Sequence, residues 1–109
     1  MLKITATASG EASVLRLEGR VSPANSAALR EEILKLTDAE APFIVLDMNG
    51  IERLDSSGIA TLLEGLARAW CYGGDLRLSG VGPQVRAVIE VFRLQGLLLA
   101  GPGAARGGA

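Results

Sequence analysis

Hydrophobic and polar residues follow two different periods along this chain. They alternate in residues 4–8, 13–18 and 75–79, which predicts three strands, and the apolar run 43–48 predicts a buried strand that ends in a turn at Asn49-Gly50. Three other stretches repeat apolar residues at the spacing of one helical face, which predicts three amphipathic helices. Their apolar positions are Ala28, Leu29, Ile33 and Leu36, then Ile59, Leu62, Leu63, Leu66, Ala67 and Trp70, and finally Val85, Val88, Ile89 and Phe92.

The order of these elements predicts the fold class. Strands that alternate with helices indicate an α/β fold with parallel strands joined by right-handed crossovers, and the turn at residues 9–12 allows the first two strands to pair antiparallel. Residues 97–100 could add a short last strand. We therefore predict one mixed sheet of four or five strands with helices packed mainly on one face. We expect residues 1–100 to form this single domain and the glycine-rich residues 101–109 to form a flexible tail.

The most informative motif is Asp55-Ser56-Ser57-Gly58, which joins the central apolar strand to the most amphipathic helix. The first N–H groups of a helix lack partners within it, so this position favours an anion such as phosphate. Helix capping by Asp or Ser is the commonest explanation for such residues. However, one side chain is enough for a cap, and Gly58 in the first turn costs about 0.5–1 kcal/mol relative to Ala. The motif therefore also suggests that something approaches the backbone there.

The segment 44–48 followed by residues 54–63 resembles the signature of STAS domains of the anti-sigma factor antagonist type. In that family the strand enters the helix through a D-S-[ST]-G motif, and the second hydroxyl is phosphorylated by the anti-sigma factor, which is itself a serine kinase. The resemblance implies that Ser57 is the phosphorylated residue and that Asp55, Ser56 and Gly58 support the site and contact the partner. Phosphorylation would end binding and so regulate transcription that depends on a sigma factor.

The chain departs from the family pattern at one position next to this site. Family members usually carry an acidic residue at the end of the second strand, whereas Gly19-Arg20-Val21 is followed here by Ser22. The resemblance places Ser22 beside the phosphorylated serine. Its replacement of an acidic residue predicts that phosphorylation is slow while partner binding is retained.

Composition and charge exclude several other classes of function. The formal net charge is -1 and no stretch concentrates Lys and Arg, which argues against nucleic acid as a partner. The chain has no His and a single Cys, so neither a Ser-His-Asp triad nor a disulfide can form within it, and no metal site or cofactor is expected. We predict that the protein is not an enzyme. The absence of a bilayer-length apolar run and of a signal-peptide pattern predicts a cytoplasmic protein.

Two alternative functions remain open from the sequence. STAS domains also occur as small subunits of membrane transport assemblies, where the same helix surface would dock constitutively and the hydroxyl would stay unmodified. In a different class, an enzyme or a small-ligand binder could use residues 55–58 as an anion site, although no second polar cluster accompanies them. The sequence does not decide between a monomer and a weak dimer.

Overall fold

The computed structural model describes residues 1–99 of the 109-residue chain. Four strands form one sheet in the order β1-β2-β3-β4, with β1 antiparallel to β2 and the other neighbours parallel. This mixed four-stranded sheet confirms the predicted α/β class. The elements in chain order are β1 (Leu2–Ser9), β2 (Ala12–Val21), α1 (Ser26–Asp38), β3 (Phe43–Leu54), α2 (Ser56–Cys71), β4 (Asp75–Ser79), α3 (Pro83–Val91) and α4 (Gln95–Leu98).

The first two strands form the hairpin that the turn residues predicted. Ser9 pairs with Ala12, so two residues connect the strands, and Gly10 has a φ of 61°. Positive φ at the first position of a two-residue connection is typical of the turns that match the twist of a hairpin. Glycine adopts this conformation without steric cost. In the strand order of the sheet, β1 lies at one edge.

The core lies between one face of the sheet and the helices. Leucines on β2, β3 and β4 stand side by side on this face, because Leu15 pairs with Leu46 and Leu46 with Leu78. Helices α1 and α2 pack against each other, and a Cβ atom on Gly65 of α2 would lie 2.6 Å from a methyl carbon of Ile33. The helices therefore approach closely at a glycine. Fully buried core side chains include Leu15, Leu17, Leu29, Ile33, Ile44, Leu46, Met48, Leu62, Leu76 and Ile89.

The predicted turn at Asn49-Gly50 is wrong, because β3 continues through it to Leu54. Two register shifts between β2 and β3 accompany this continuation. Arg16 pairs with Asp47 and Glu18 with Gly50, so β3 has one extra residue between these two pairs. A second extra residue of β3 lies directly before Arg53. Asp47 accepts hydrogen bonds from the backbone N–H and the side-chain amide of Asn49, at 3.0 and 2.7 Å. Asn49 thus belongs to a β-bulge that ends before Gly50, and a bulge bends a strand without ending it.

The predicted short strand at residues 97–100 is also wrong within the described chain. Residues Gln95–Leu98 form a single helical turn, and the backbone N–H groups of Leu97 and Leu98 both donate to the carbonyl oxygen of Leu94. Leu98 is fully buried in the core. For so short an apolar run, a helical turn that buries Leu98 in the core is more favourable than a strand that pairs with the sheet. Ala100 and the predicted tail 101–109 lie outside the described residues.

Strand β4 buries two charged residues on the face that the alternating sequence pattern predicts to be polar and exposed. Asp75 and Arg77 are 7% and 4% exposed, and Arg77 Nη1 lies 2.7 Å from Asp75 Oδ1. The same nitrogen donates to the carbonyl oxygen of Leu97, which ties β4 to α4. The Trp70 indole N–H donates to Asp75 as well. This buried ion pair therefore links the last strand to two helices.

Candidate functional site

The Asp55 motif lies at the edge of the sheet where the parallel strands end. Val21 at the end of β2 pairs with Leu54 at the end of β3, so the next residues, Ser22 and Asp55, leave the sheet side by side. Loops that follow parallel strands gather at one edge and commonly carry binding residues. A cavity of about 360 Å³ lies between these loops and the start of α3, and it is lined by Arg20, Val21, Ser22, Arg53, Leu54, Asp55 and Gln84.

Asp55 is the N-cap of α2. Its backbone is extended, with φ -106° and ψ -173°, and its Oδ1 accepts hydrogen bonds from the N–H groups of Ser57 at 3.0 Å and Gly58 at 3.2 Å. These bonds satisfy two of the donors that every helix leaves unpaired at its start. The hydroxyl of Ser57 donates to the same Oδ1 at 2.6 Å. The hydrogen bond from the Ser57 hydroxyl, together with smaller contributions from backbone N–H groups, lowers the pKa of this carboxyl and outweighs the opposing effect of burial.

Ser57 is partly buried, while its neighbour Ser56 is exposed. Besides the hydroxyl bond to Asp55, the carbonyl oxygen of Ser57 accepts a hydrogen bond from the Thr61 hydroxyl at 3.0 Å. Ser57 therefore takes part in the hydrogen bonds of the first turn, next to the cap at Asp55. The hydroxyl lies in the first turn of α2, where it is held by Asp55.

The structure explains Gly58 by close packing at the start of α2. It is buried, and a Cβ atom built on it would lie 2.4 Å from Leu54 Cδ1 and 2.9 Å from Val21 Cγ1. The groups that approach this backbone are thus core side chains at the ends of β2 and β3. The close approach expected at Gly58 is made by these core side chains, and the glycine lets α2 begin close to the sheet.

Ser22 lies in a turn that is held by Asn25. Asn25 Oδ1 accepts from the backbone N–H of Ser22 at 3.0 Å, and its Nδ2 donates to the carbonyl oxygen of Arg20 at 2.9 Å. The Ser22 hydroxyl accepts from the N–H of Ala24 at 3.3 Å. Ser22 and Asp55 line the same cavity, which places both of these predicted residues at one surface.

Sequence reasoning missed two arginines at this surface. Arg20 and Arg53 are paired across β2 and β3, one residue before the strands end, and both line the cavity beside Asp55. The Arg20 guanidinium also makes an exposed ion pair with Glu52, with 3.3 Å between Nε and Oε1. The positions of Arg20 and Arg53 directly before Val21 and Leu54 could have indicated that both lie near the site. However, the pairing of the two arginines depends on the bulges in β3. The site is therefore more cationic than its motif suggests.

Replacing Asp55 by Ala is expected to lower the free energy of unfolding by about 1 kcal/mol near neutral pH, the usual cost of losing an N-cap. A carboxyl whose pKa is lowered by folding stabilises the protein above its unfolded pKa of about 3.9, and this stabilisation disappears as the pH falls through the folded value. The difference between wild type and variant should therefore shrink below about pH 4. Urea unfolding across this range measures it.

The matched control for Asp55→Ala is Ser56→Ala, since Ser56 is exposed on the same turn. This control should unfold like the wild type at every pH, within about 0.5 kcal/mol. A loss caused by Asp55→Ala that stays constant down to pH 2 would contradict the assignment of the carboxylate as the cap.

No metal centre or membrane helix is found in the part of the chain that the structure describes. Residues 1–99 contain no group of three or more Cys, Asp or Glu residues arranged to hold a metal ion. Among the same residues, no helix combines the length and apolarity needed to cross a bilayer. The side chains that line the cavity carry hydroxyl, carboxylate and guanidinium groups.

Comparison with known families agrees with the fold. A family model described as "Mlab, STAS domain" matches residues 4–100. This match covers most of the chain, so the protein belongs to the STAS domain family.

Solved structures with this fold include several anti-sigma factor antagonists. One from Mycobacterium paratuberculosis is 20% identical, with a TM-score of 0.84 over 94% of this chain and 86% of that one. A STAS domain protein from Planctomyces limnophilus, also an anti-sigma factor antagonist, is 21% identical with a TM-score of 0.78 over 87% and 85%. The Bacillus cell fate determinant SpoIIAA in its phosphorylated form is 19% identical, with a TM-score of 0.70 over 94% and 93%. These similarities establish the fold.

Proposed function

We propose that this protein is an anti-sigma factor antagonist that binds a serine-kinase anti-sigma factor through the surface around the start of α2. Binding would release the sigma factor, and phosphorylation of Ser57 would end the interaction. The observation that carries the proposal is the position of the Ser57 hydroxyl in the first turn of α2, 2.6 Å from the carboxylate of Asp55, which lines the cavity between the strand ends. The similarity to SpoIIAA, a protein known in a phosphorylated form, supports it.

The geometry around Ser57 suits phosphoryl transfer from ATP bound to the partner. Its oxygen would form a bond to the γ-phosphorus while the bond to the β-phosphate oxygen breaks and ADP leaves. Asp55 already accepts the hydroxyl hydrogen, which leaves the oxygen lone pairs turned away from the carboxylate. Because the pKa of Asp55 is lowered, this carboxylate orients the hydroxyl and is a weak acceptor for the proton, which the kinase would have to remove.

Phosphorylation would change the charge of the surface more than the fold. It adds a charge of about -1.5 to -2 next to the Asp55 carboxylate. The start of α2 tolerates an anion, because the helix dipole favours it by roughly 0.3–1 kcal/mol. At an interface, desolvating the same charge against apolar or acidic groups of a partner is unfavourable. The modified protein would therefore stay folded and dissociate.

The hydrogen bonds of the first turn of α2 in its unmodified form favour a second function. The Ser57 hydroxyl already has a partner in Asp55, and the uncharged Ser22 stands where the family pattern has an acidic residue. Both observations fit a constitutive STAS subunit that docks on a transport or signalling assembly without being phosphorylated. The two functions share the docking surface and differ in whether Ser57 is modified.

Phosphorylation assays distinguish these two functions. We expect that a serine-kinase anti-sigma factor and ATP modify the wild-type protein on one residue, which mass spectrometry locates at Ser57. Ser57→Ala should abolish the modification, whereas the matched control Ser56→Ala should retain it. Ser22→Asp, which restores the acidic residue of the family pattern, should increase the rate.

Modification at Ser56 would move the site by one residue. If candidate kinases bind the protein but transfer no phosphate to either serine, the constitutive subunit is the better description. A protein that binds none of them would contradict the antagonist proposal itself.

A further inference from the structure

The outer edge of β1 offers backbone hydrogen-bonding groups over eight residues. Within the described chain β1 is the first strand of the sheet, with β2 on its inner side. Natural edge strands are usually protected by proline, bulges or several charges, because unpaired edges recruit other strands. Here the strand LKITATAS contains one Lys and no Pro, and the register shifts of the sheet affect β2 and β3 and leave its pairing with β2 regular.

The hydrogen-bond pattern identifies which residues of β1 face outward. The N–H of Arg20 donates to the carbonyl oxygen of Met1 at 2.9 Å. In an antiparallel ladder the residues that bond to a given neighbour alternate. Starting from Met1, residues 3, 5, 7 and 9 therefore bond to β2, while the N–H and C=O groups of Leu2, Ile4, Ala6 and Ala8 point away from the sheet.

The same four residues lie on the core-facing side of β1, and their sizes change along the strand. Leu2 and Ile4 are large and pack against the core, whereas Ala6 and Ala8 are small and exposed. The small half lies beside a cavity of about 420 Å³ lined by Ala6, Thr7, Ala8, Ser13, Val14, Leu15 and Leu36. One half of the strand thus carries large apolar side chains, and the other half leaves space for them.

We infer that β1 pairs with β1 of a second copy of this chain, antiparallel about a two-fold axis centred on Thr5. In this register Ile4 of one copy lies opposite Ala6 of the other, and Leu2 lies opposite Ala8. The large apolar side chains of each copy then lie next to the cavity of its neighbour, and the outward backbone groups of both copies pair. The four-stranded sheet becomes a continuous sheet of eight strands.

Charge and symmetry favour a second copy over an unrelated strand. The one charged residue of β1, Lys3, lies opposite Thr7 of the other copy, so no like charges meet. The net charge of -1 produces little repulsion between copies. A two-fold axis also uses each large-to-small contact twice, as expected for an interface formed by the same surface on both partners. An interface of one strand pair is small, so the dimer is weak.

Analytical ultracentrifugation of the full chain between about 10 µM and 1 mM tests this pairing, because weak interfaces dissociate in this range. We expect a reversible shift from monomer to dimer. Ala8→Glu puts a carboxylate opposite Leu2 of the other copy and should weaken dimerisation at least tenfold. Ala6→Pro removes an outward N–H without removing a bond to β2 and should prevent the dimer. The matched control Ala87→Glu makes the same change on the exposed face of α3 and should dimerise normally.

Amide hydrogen exchange measured by NMR locates the contact. Exchange of the Ile4 and Ala6 amides should slow as the protein concentration rises, while the Thr5 and Thr7 amides should not respond. A wild-type protein that stays monomeric at 1 mM would overturn the inference. Equal dimerisation by Ala8→Glu would do so too, and so would protection of Ile4 and Ala6 that is independent of concentration.

Discussion

Replacing Ser57 by Asp is expected to weaken binding to the anti-sigma factor at least about 30-fold while leaving the protein folded. A charge buried against a partner typically costs roughly 2–5 kcal/mol, and each 1.4 kcal/mol corresponds to a tenfold change in affinity. The new carboxylate would stand beside Asp55, whose Oδ1 now receives the Ser57 hydroxyl. Isothermal titration calorimetry with the purified partner measures the loss.

The same substitution should change stability by no more than about 1 kcal/mol. A carboxylate in the first turn of α2 gains from the helix dipole, and repulsion from Asp55 and loss of the hydroxyl bond offset this gain. A melting temperature within roughly 8 °C of the wild type would agree with this balance. Loss of binding in a folded variant would then be an effect on the interface.

Ser57→Asn is the matched control, because Asn has nearly the size of Asp without its charge. The charge proposal predicts that Asn retains much more affinity than Asp. If both variants lose binding equally, the shape of the first turn matters and the charge does not. If Asp binds as tightly as the wild type, the switch at Ser57 is refuted, even if Ser57 can be phosphorylated.

Features that depend on neighbouring residues could be predicted from the sequence. The strand β4 has the predicted bounds 75–79, and Pro83 begins α3 at its first helical position, where its missing N–H costs nothing. Asp55 is an N-cap because a short acidic side chain can reach the N–H groups two and three residues ahead. These are local interactions, and the residues that make them are adjacent in the chain.

Features that depend on distant residues could not be predicted in the same way. The continuation of β3 through Asn49-Gly50 depends on two bulges that appear only when β2 is placed beside it. Part of the crowding at Gly58 comes from Val21, which lies 37 residues earlier in the chain but packs next to α2. Arg20 and Arg53 likewise meet through this register. The motif was therefore visible in the sequence, but the side chains that surround it were not.

Replacing Asp75 by Ala should be one of the most destabilising single changes in the protein. Its Oδ1 accepts hydrogen bonds from Arg77, from the Trp70 indole and from the Leu76 N–H, at 2.7, 3.1 and 3.0 Å. Removing one member of a buried ion pair leaves the other charge uncompensated and typically costs about 3–5 kcal/mol. Thermal unfolding should occur at least about 12 °C lower, since 1 kcal/mol corresponds to roughly 4–8 °C in a domain near this size.

Replacing Arg77 by Met should cost less than replacing Asp75, although the two residues form one ion pair. Arg77 Nε and Nη2 are buried and have no hydrogen-bond partner within the described residues, so Arg77 already bears a desolvation cost that Met would remove. Asp75 would keep its bonds from Trp70 and Leu76. The double variant Asp75→Ala/Arg77→Met should therefore be more stable than Asp75→Ala alone, which denaturant unfolding of all four proteins measures. If adding Arg77→Met destabilises the Asp75→Ala variant further, the uncompensated charge of Arg77 is not the cause of the stability lost in Asp75→Ala. Arg77 would then stabilise the fold through its contact with the Leu97 carbonyl of α4.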